Sequence, residues 1–539
     1  MITRLLGRTF NAGVGVKVLT EAGVIRPFAP WTLASIGTTL LRWGTGAAGG
    51  FATLAARAPH QVGLIDELGS LTYREMHERS NALAHALHDR GVGESDGVAI
   101  MCRNHRGFLE ATVAVAKLGA DVLYLNTSFA GPQLVEVLDR ERPRAVIHDE
   151  EFTESLSGAD VEHRILAWTD SEDDQAPDPD SVEALMASYP TTDLTAPGHH
   201  SRVVILTSGT TGTPKGAPRS ETGVEAAVAI LERIPLRYGQ TTHIAAPLFH
   251  TWGFAHLALS MLIATPVVLR RRFDPEECLG VVQEHECRSL AVIPVMLQRI
   301  LSLPPEVLGK YDLSSLRVVA ASGSALPGDL ALEWMDRFGD NLYNVYGSTE
   351  VGYASIATPY DLRVNPTTAG KPPLGTEVRI LDDAGREVPR GEPGRIFVGN
   401  SVLFEGYSGG GHKEVVDGLM SSGDVGRIGA DGRLYVEGRD DDMIVSGGEN
   451  VFPGEVEHCL ARHPGVAEVA VVGVADAEFG QRLRAFVVLD DPAVTSSDLQ
   501  EWVRGRLARF KVPREVVLLP ELPRNATGKV LKRELPRDA

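Results

Sequence analysis

The 539-residue sequence predicts an α/β fold with parallel sheets, followed by antiparallel strands and a small α+β unit. Three observations point to it. Segments with helical apolar spacing alternate with short apolar runs through most of the chain. Past about residue 370 the texture changes to short strands joined by Asp/Gly turns. The length itself exceeds what one hydrophobic core covers, so two or more domains are expected.

The elements follow in order. "LTYREMHERSNALAHALHDRG" (71–91) has apolar residues at helical spacing and stops at a glycine. "GVAIMC" (97–102) is a buried strand, "RGFLEATVAVAKLGA" (106–120) a second helix, and "DVLYLN" the strand after it. The alternation resumes at "RVVILT" (202–207), the helical "GVEAAVAILERI" (223–234), "HIAAPL" and "SLAVIPV" (289–295). "TEVRILDDAGREVPRGEPGRIFVGN" (376–400) reads as an antiparallel pair. From about 442 onward, "GEVEHCLARHPG" and "SSDLQEWVRGRLAR" read as helices, "VAEVAVVGV" and "LRAFVVL" as strands. Near the start, Ala29–Ala56 carries Arg42 as its only charge and is rich in glycine. That suits a helix packed on the body or a peripheral membrane contact better than a span.

Composition narrows the function. A net charge of −19, from 52 Lys+Arg against 71 Asp+Glu, argues against nucleic-acid binding through a broad basic face. Any anionic ligand must be held by local cations. Cys102, Cys278, Cys287 and Cys459 show no metal-ligand spacing and do not make a disulfide scaffold, which fits a reducing cytoplasm. No secretory signal is visible.

The strongest chemical signal is "TSGTTGTPKG" (207–216), with five hydroxyls, three glycines and one lysine in ten positions. Glycine is costly to order, so such density just past a strand needs a ligand to offset it. Backbone N–H groups and hydroxyls from Thr207, Ser208, Gly209, Thr210, Thr211, Gly212 and Thr213 suit phosphate oxygens, and Lys215 adds a point charge. It is not a Walker A loop, because Pro214 precedes the lysine and Gly216 follows it. "NVYGSTE" (344–350) offers Tyr346 as a flat face, Thr349 as a hydroxyl and Glu350 as a hard oxygen ligand for Mg²⁺. "SSGDVG" (421–426) places Asp424 where it could accept from a ribose diol. Taken singly, these last two also read as ordinary turns. Asp440–Asp442 reads as a solvated charge run, and Lys529 in "RNATGKVLKREL" as a tail lysine.

In this order, the pieces resemble the adenylate-forming superfamily of acyl-CoA synthetases, luciferases and peptide-synthetase adenylation domains. "PLFHTWGF" (247–254) and "ASGSALP" (321–327) fit the same template, and the resemblance runs from about residue 50 to the end. It implies a large N-terminal domain of parallel α/β sheets plus a distorted antiparallel barrel, with a mobile α+β lid at the C-terminus. The corresponding division is an apolar extension at 1–50, a nucleotide- and acyl-binding domain at 51–440 and the lid at 441–539. By resemblance, Thr207–Lys215 would cradle the β and γ phosphates of ATP. Gly323, Ser324, Ala325 and Tyr346 would flank adenine, with Asn344, Gly347 and Ser348 in the same nucleotide site. Thr349 would touch the α-phosphate, Glu350 would hold Mg²⁺, and Asp424 and Arg439 would hold the ribose. Lys529 would bridge the carboxylate and α-phosphate, Asp441 would be the hinge, and Gly447–Gly448 would face the CoA tunnel.

The implied activity is ligation of a fatty acid to CoA through an acyl-adenylate, releasing AMP and pyrophosphate. Amino-acid-activating relatives place an aspartate in the segment matching "PLFHTWGF"; here Phe249, His250 and Trp252 stand there without a carboxylate. A buried ammonium would be left unpaired, so an amino acid is disfavoured. His250 resembles the aromatic gate of acyl- and aryl-CoA ligases. Trp252, Gly253, Phe254, Gly352, Ala354 and Ser355 suit an apolar tunnel. An aryl-CoA ligase, or an acyl-AMP ligase feeding a carrier protein, remains open. Only ten residues follow Lys529, leaving no room for a carrier domain, so CoA is the expected acceptor. Arg270–Arg272 could meet a CoA phosphate or be surface charge. The expected location is cytoplasmic, and the N-terminal segment is also compatible with peripheral contact at the inner membrane face.

Overall fold

The computed structural model describes residues 13–44, 46–129, 131–170, 178–207, 215–219, 224–408, 410–440, 444–446, 449–451, 453–476, 480–524 and 530–536. Two largely parallel sheets form its main body. The six-stranded one runs His163–Trp168, Ala145–Asp149, Gly97–Met101, Asp121–Tyr124, Val203–Thr207 and Lys215–Arg219. Its last pair is antiparallel, with Thr207 opposite Lys215, so the glycine-rich loop closes a hairpin at the sheet edge. Pro218 lies on that edge strand, where a missing N–H costs least.

The eight-stranded sheet orders Ser355–Ala357, Leu342–Tyr346, Val318–Ala321, Ser289–Val292, Thr242–Ile244, Val267–Val268, Val62–Asp66 and Gly69–Thr72. "HIAAPL" is strand only over Thr242–Ile244, and "SLAVIPV" ends at Val292 because Pro294 opens a helix, Pro294–Leu301. Proline lacks the ladder N–H but fits the first turn of a helix.

Every residue of the Arg106–Lys117 helix is buried. Its two charged ends are therefore paired internally. Arg106 meets Asp66 through Nε at 3.0 Å and its own backbone N–H at 2.9 Å. Lys117 donates to Asn81 Oδ1 at 2.6 Å and Ser80 Oγ at 2.8 Å. Burial pushes the Lys117 ammonium down to about 7.

After residue 370, Glu377–Leu381, Gly394–Gly399, Leu419–Ile428, Val415–Val416 and Leu434–Arg439 form a separate antiparallel sheet. From residue 444 the chain builds another sheet, whose long pair is Val466–Asp476 against Gly480–Leu489, with the helices Pro453–Ala461 and Ser496–Arg504. That sheet has its own core around Val456, Leu460, Leu483, Val487 and Leu499.

The apolar N-terminal stretch folds as two helices, Pro30–Trp43 and Ala47–Arg57. A Cβ on Gly49 would lie 1.9 Å from the carbonyl oxygen of Gly44, so only glycine permits the tight turn between them. Among the described residues no helix is long and apolar enough to cross a membrane.

The four cysteines are free and buried. Cys102 converges with His105 and Asp149 in the core. His105 uses both ring nitrogens there: Nε2 pairs with Asp149 Oδ1 at 2.7 Å, and Nδ1 accepts from the Gly107 N–H at 3.1 Å. That cluster is a hydrogen-bonded core element.

His256 is fully buried, and neither ring nitrogen has a partner among the described residues. Burial alone pushes its imidazole down to about 4, and those of His243 and His250 reach the same range. Below about pH 6.5 the unfolded chain binds protons that the folded chain refuses until about pH 4. Stability should therefore fall as pH drops through that window. His256→Met should narrow the gap in Tm between pH 7.5 and pH 5; an unchanged gap in scanning calorimetry would refute this.

Candidate active site

The parallel strands Val318–Ala321 and Leu342–Tyr346 are neighbours, and both release loops from their C-terminal ends. Those ends are where α/β sheets bind ligands. The first loop carries Gly323, Ser324 and Ala325; the second carries Gly347, Ser348, Thr349 and Glu350. The Ser322 hydroxyl donates to Val345 O at 2.7 Å and ties the loops together. Gly323 has φ +95°, which a side chain would resist, and a Cβ on Gly347 would meet Gly352 O at 2.1 Å. The Ser348 Oγ accepts the N–H groups of Glu350 and Val351 at 3.3 and 3.4 Å, fixing the turn that presents Glu350.

Three further segments meet this turn. From the antiparallel sheet, Asp424 and Arg439 lie directly opposite each other, with Arg439 Nη1 3.5 Å from Asp424 Oδ1. A break in register at Val425/Gly426 bends that strand next to Asp424. The Tyr346 hydroxyl donates to Asp424 Oδ2 at 2.5 Å. Burial, and then the Asp424 charge, hold that phenol well above its usual range. From the 403–408 segment, Tyr407 donates to Glu350 Oε1 at 2.9 Å while Lys215 Nζ sits 5.2 Å from the Tyr407 ring centroid. The Ser408 N–H donates to Gly216 O at 2.9 Å, docking the root of the glycine-rich loop beside Glu350.

Lys215, Gly323–Ala325, Asn344, Tyr346–Glu350, Asp424 and Arg439 all line one cleft of about 2520 Å³. Asn344 Oδ1 is buried there without a partner among the described residues. Thr207 ends the strand that leads into the loop. Ser208–Pro214, Asp441, Gly447–Gly448 and Lys529 lie outside the described residues. The residues on either side of the Lys529 segment, Arg524 and Val530, pair with each other and line the same cleft.

The acid side is set by the Thr251–Leu262 helix. His250 stands at its N-terminal boundary and lines the cleft, tilted against Phe249 at 4.5 Å between ring centroids. Its Nε2 is buried without a partner among the described residues, and burial pushes the ring down to about 4, so it is neutral at pH 7. Trp252, Gly253 and Phe254 line the cleft, as does Gly352. The helix meets the nucleotide turn where the Thr251 hydroxyl reaches Thr349 Oγ1 at 3.4 Å.

One sequence expectation is corrected, one pair of alternatives is narrowed, and one residue was missed. Ala354 and Ser355 do not wall a tunnel: both are fully buried, and Ser355 donates to Ala369 O at 2.7 Å. Arg270–Arg272 serve internal ion pairs, with Arg270 on Glu277 at 3.1 Å and Arg271 and Arg272 on Glu151 at 3.2 and 3.1 Å. All three are paired with carboxylates and Arg272 stays 64% exposed, which fits the surface-charge reading. Tyr407 was missed altogether; its only sequence signal is an aromatic in "EGYSGGG" (405–411), next to a glycine run.

Comparison with known proteins agrees with this geometry. The AMP-binding enzyme family model matches residues 51–408, and the AMP-binding enzyme C-terminal domain matches residues 455–529. A feruloyl-CoA synthase from Amycolatopsis sp is 33% identical over 495 residues, covering 90% of this chain and 97% of that protein. An indoleacetate–CoA ligase from Aromatoleum aromaticum is 32% identical over 482 residues, covering 86% and 92%. The o-succinylbenzoate CoA synthetase of Bacillus subtilis, solved with its acyl-adenylate intermediate, superposes with a TM-score of 0.80. Its identity is 27%, and the match covers 91% of this chain and 98% of that one.

Asp424 faces both a phenol and a guanidinium, so removing its charge disturbs both. Asp424→Ala should weaken adenine-nucleotide binding about 10–100-fold, the worth of losing hydrogen bonds to a charged acceptor. Calorimetric titration with ATP and with AMP checks it; unchanged affinity would remove Asp424 from the site.

Proposed function

This chain belongs to the AMP-binding enzymes, and on that premise we propose an aryl-acid–CoA ligase with the residue roles set out below. At the coarser level it is an AMP-forming acid–thiol ligase, with ATP and CoA as substrates and an acyl-adenylate between the two half-reactions. One observation carries the assignment of the cleft: a polar arm built from Lys215, Glu350, Asp424 and Arg439 and an apolar arm along the Thr251–Leu262 helix meet at Thr251 and Thr349. A carboxylate entering along the apolar arm would arrive beside the α-phosphate.

A carboxylate is a poor acyl donor because its leaving group would be oxide. Attack on the α-phosphate replaces that leaving group with AMP. The step brings two anions together, so its barrier is largely electrostatic. In our reading Thr349 contacts the α-phosphate, and Lys529 bridges it to the acid. Asp424 and Arg439 fix the ribose, and Gly323–Ala325 with Tyr346 flank the base. Glu350, oriented by Tyr407, offers a hard oxygen that fits Mg²⁺ shared with phosphate oxygens. A bound Mg²⁺ would neutralise charge on the departing pyrophosphate. Neutral His250 would act as a gate at the carboxylate end rather than as a cation. For thiol attack Lys529 must withdraw, so we assign Asp441 as the hinge and Gly447–Gly448 as the loop brought to the pantetheine. Lid motion on a few boundary residues is ordinary hinge behaviour.

The sequence alone favoured a fatty acid. The relatives named above act on feruloyl and indoleacetate groups, which favours an aromatic acid. The fatty acid stands as a second reading, supported by the apolar walls around Phe254, Leu257 and Ala258.

Pyrophosphate release across a panel of aryl and alkyl acids, with and without CoA, tests the reading. Aryl-acid-dependent AMP and acyl-CoA formation would uphold it, preference for alkyl acids would select the second reading, and acyl-AMP accumulating despite CoA would point to a carrier-protein acceptor. Lys529→Ala should lower adenylate formation by about 10²–10³ yet spare thioester formation from supplied acyl-AMP; equal loss of both half-reactions would defeat the lysine's assigned role. Asp441→Pro should arrest the cycle between half-reactions, and normal turnover in that variant would exclude a hinge there.

A further inference from the structure

The family match begins at residue 51, yet residues before it enter the same cleft as the nucleotide loops. The Pro30–Trp43 helix presents Leu33, Ile36 and Leu40 to it, at spacing i, i+3, i+7, so they share one helical face. The following helix presents Gly46, Gly50 and Thr53, again along one face. Behind them, the buried Arg106–Lys117 helix backs this part of the cleft with Leu109, Val113 and Ala116. The Thr251–Leu262 helix contributes Phe254, Leu257 and Met261. The cleft that holds His250 is thus bordered by predominantly apolar helical stripes, of which the hairpin's is the exposed one.

The hairpin is a fixed wall. Arg57 Nη2 donates to Leu262 O at 2.6 Å, binding it to the C-terminal end of the acid-side helix, where a cation also suits the helix dipole. Arg42 pairs with Asp193 at 3.0 Å, and Trp43 is buried. Yet the cleft face is open: Leu33 is 54% and Leu40 37% exposed, and a Cβ built on Gly50 meets nothing within 4 Å. An anchored apolar face left open at the end of a substrate channel has an occupant to bury it.

We propose that the Pro30–Arg57 hairpin is a tail subsite, a trough that takes the hydrocarbon extension of an acid whose carboxylate lies near Thr349. The inference rests on the acid-ligase reading of the cleft, and it applies equally to an alkyl chain or an alkyl substituent on an aromatic ring. Burial of several methylenes there makes the hairpin a determinant of tail length.

Gly50→Phe fills the open space, and Leu33→Ser removes apolar surface at an exposed position. Two acid pairs isolate the tail from the head: hexadecanoate against hexanoate, and 4-octyloxybenzoate against benzoate. In Gly50→Phe the long-to-short ratio of kcat/KM should fall about tenfold in whichever series is used, with the short acid within about twofold of native; Leu33→Ser should move the ratio the same way by less. Fluorescence titration with cis-parinaric acid, which needs no turnover, should show Kd about tenfold higher in Gly50→Phe. An unchanged ratio in both variants, equal loss on short and long acids, or no parinaric acid binding to the native protein would overturn the subsite. Weakened parinaric acid binding in a protein that releases no pyrophosphate on any acid would instead sink the ligase reading and leave the subsite standing.

Discussion

The hydrogen bond from Tyr346 to Asp424 holds together two units with no common ladder. Tyr346 ends a strand of the eight-stranded sheet, whereas Asp424 belongs to the antiparallel sheet built after residue 370. The phenol is buried, so its hydroxyl must find an acceptor, and the carboxylate supplies one at 2.5 Å. With one oxygen committed to Tyr346, Asp424 keeps its other toward Arg439. The same two units are also joined by the backbone bonds of Leu434 with Ala369 and Gly370 and by the Arg433–Asp361 ion pair, and Tyr346 adds the contact that sets Asp424 against the 347–350 turn. Tyr407 repeats the device beside the glycine-rich loop's root, where its hydroxyl orients Glu350 and its ring lies under Lys215.

The electrostatics of the cleft follow from the same economy. A chain with net charge −19 cannot attract an anion through its overall field, so attraction must be local. Cleft-lining cations of the C-terminal unit are held by its own glutamates: Lys532 by Glu457 at 2.8 Å, Arg524 by Glu468 at 3.0 Å and Lys511 by Glu455 at 2.5 Å. An incoming polyanion would compete with those carboxylates, which favours contact only in a defined orientation. The acid arm works by the opposite means, since burial keeps His250 neutral and leaves a largely apolar path beside it.

Much of the fold was legible because it is written in short-range periodicity. The antiparallel pair within 376–400, the buried strand at 97–101 and the helix from Arg106 depend on residues two to four positions apart. The loops "SGS" (322–324) and "YGSTE" (346–350) were legible through their place in the family resemblance, and φ +95° at Gly323 and the close approach at Gly347 give the physical reason for glycine there. Ala354 and Ser355 were misjudged for a related reason. Small residues after Glu350 suit a tunnel or a tight core equally well, and only their neighbours distinguish the two.

By itself, then, the sequence determined the alternating α/β scaffold, the glycine-dependent loops and the kinds of side chain available to an anionic ligand. Those features are local, and backbone sterics and apolar spacing suffice to specify them. Tertiary structure alone decided that Tyr407 reaches Glu350, that Arg271 and Arg272 are consumed by Glu151, and that a hairpin before residue 51 faces the acid arm. Each of those facts joins residues from 57 to more than 200 positions apart, Tyr407 with Glu350 being the shortest and Arg57 with Leu262 the longest. At such separations the partner is chosen by how the sheets and helices pack, and no pattern along the chain encodes it.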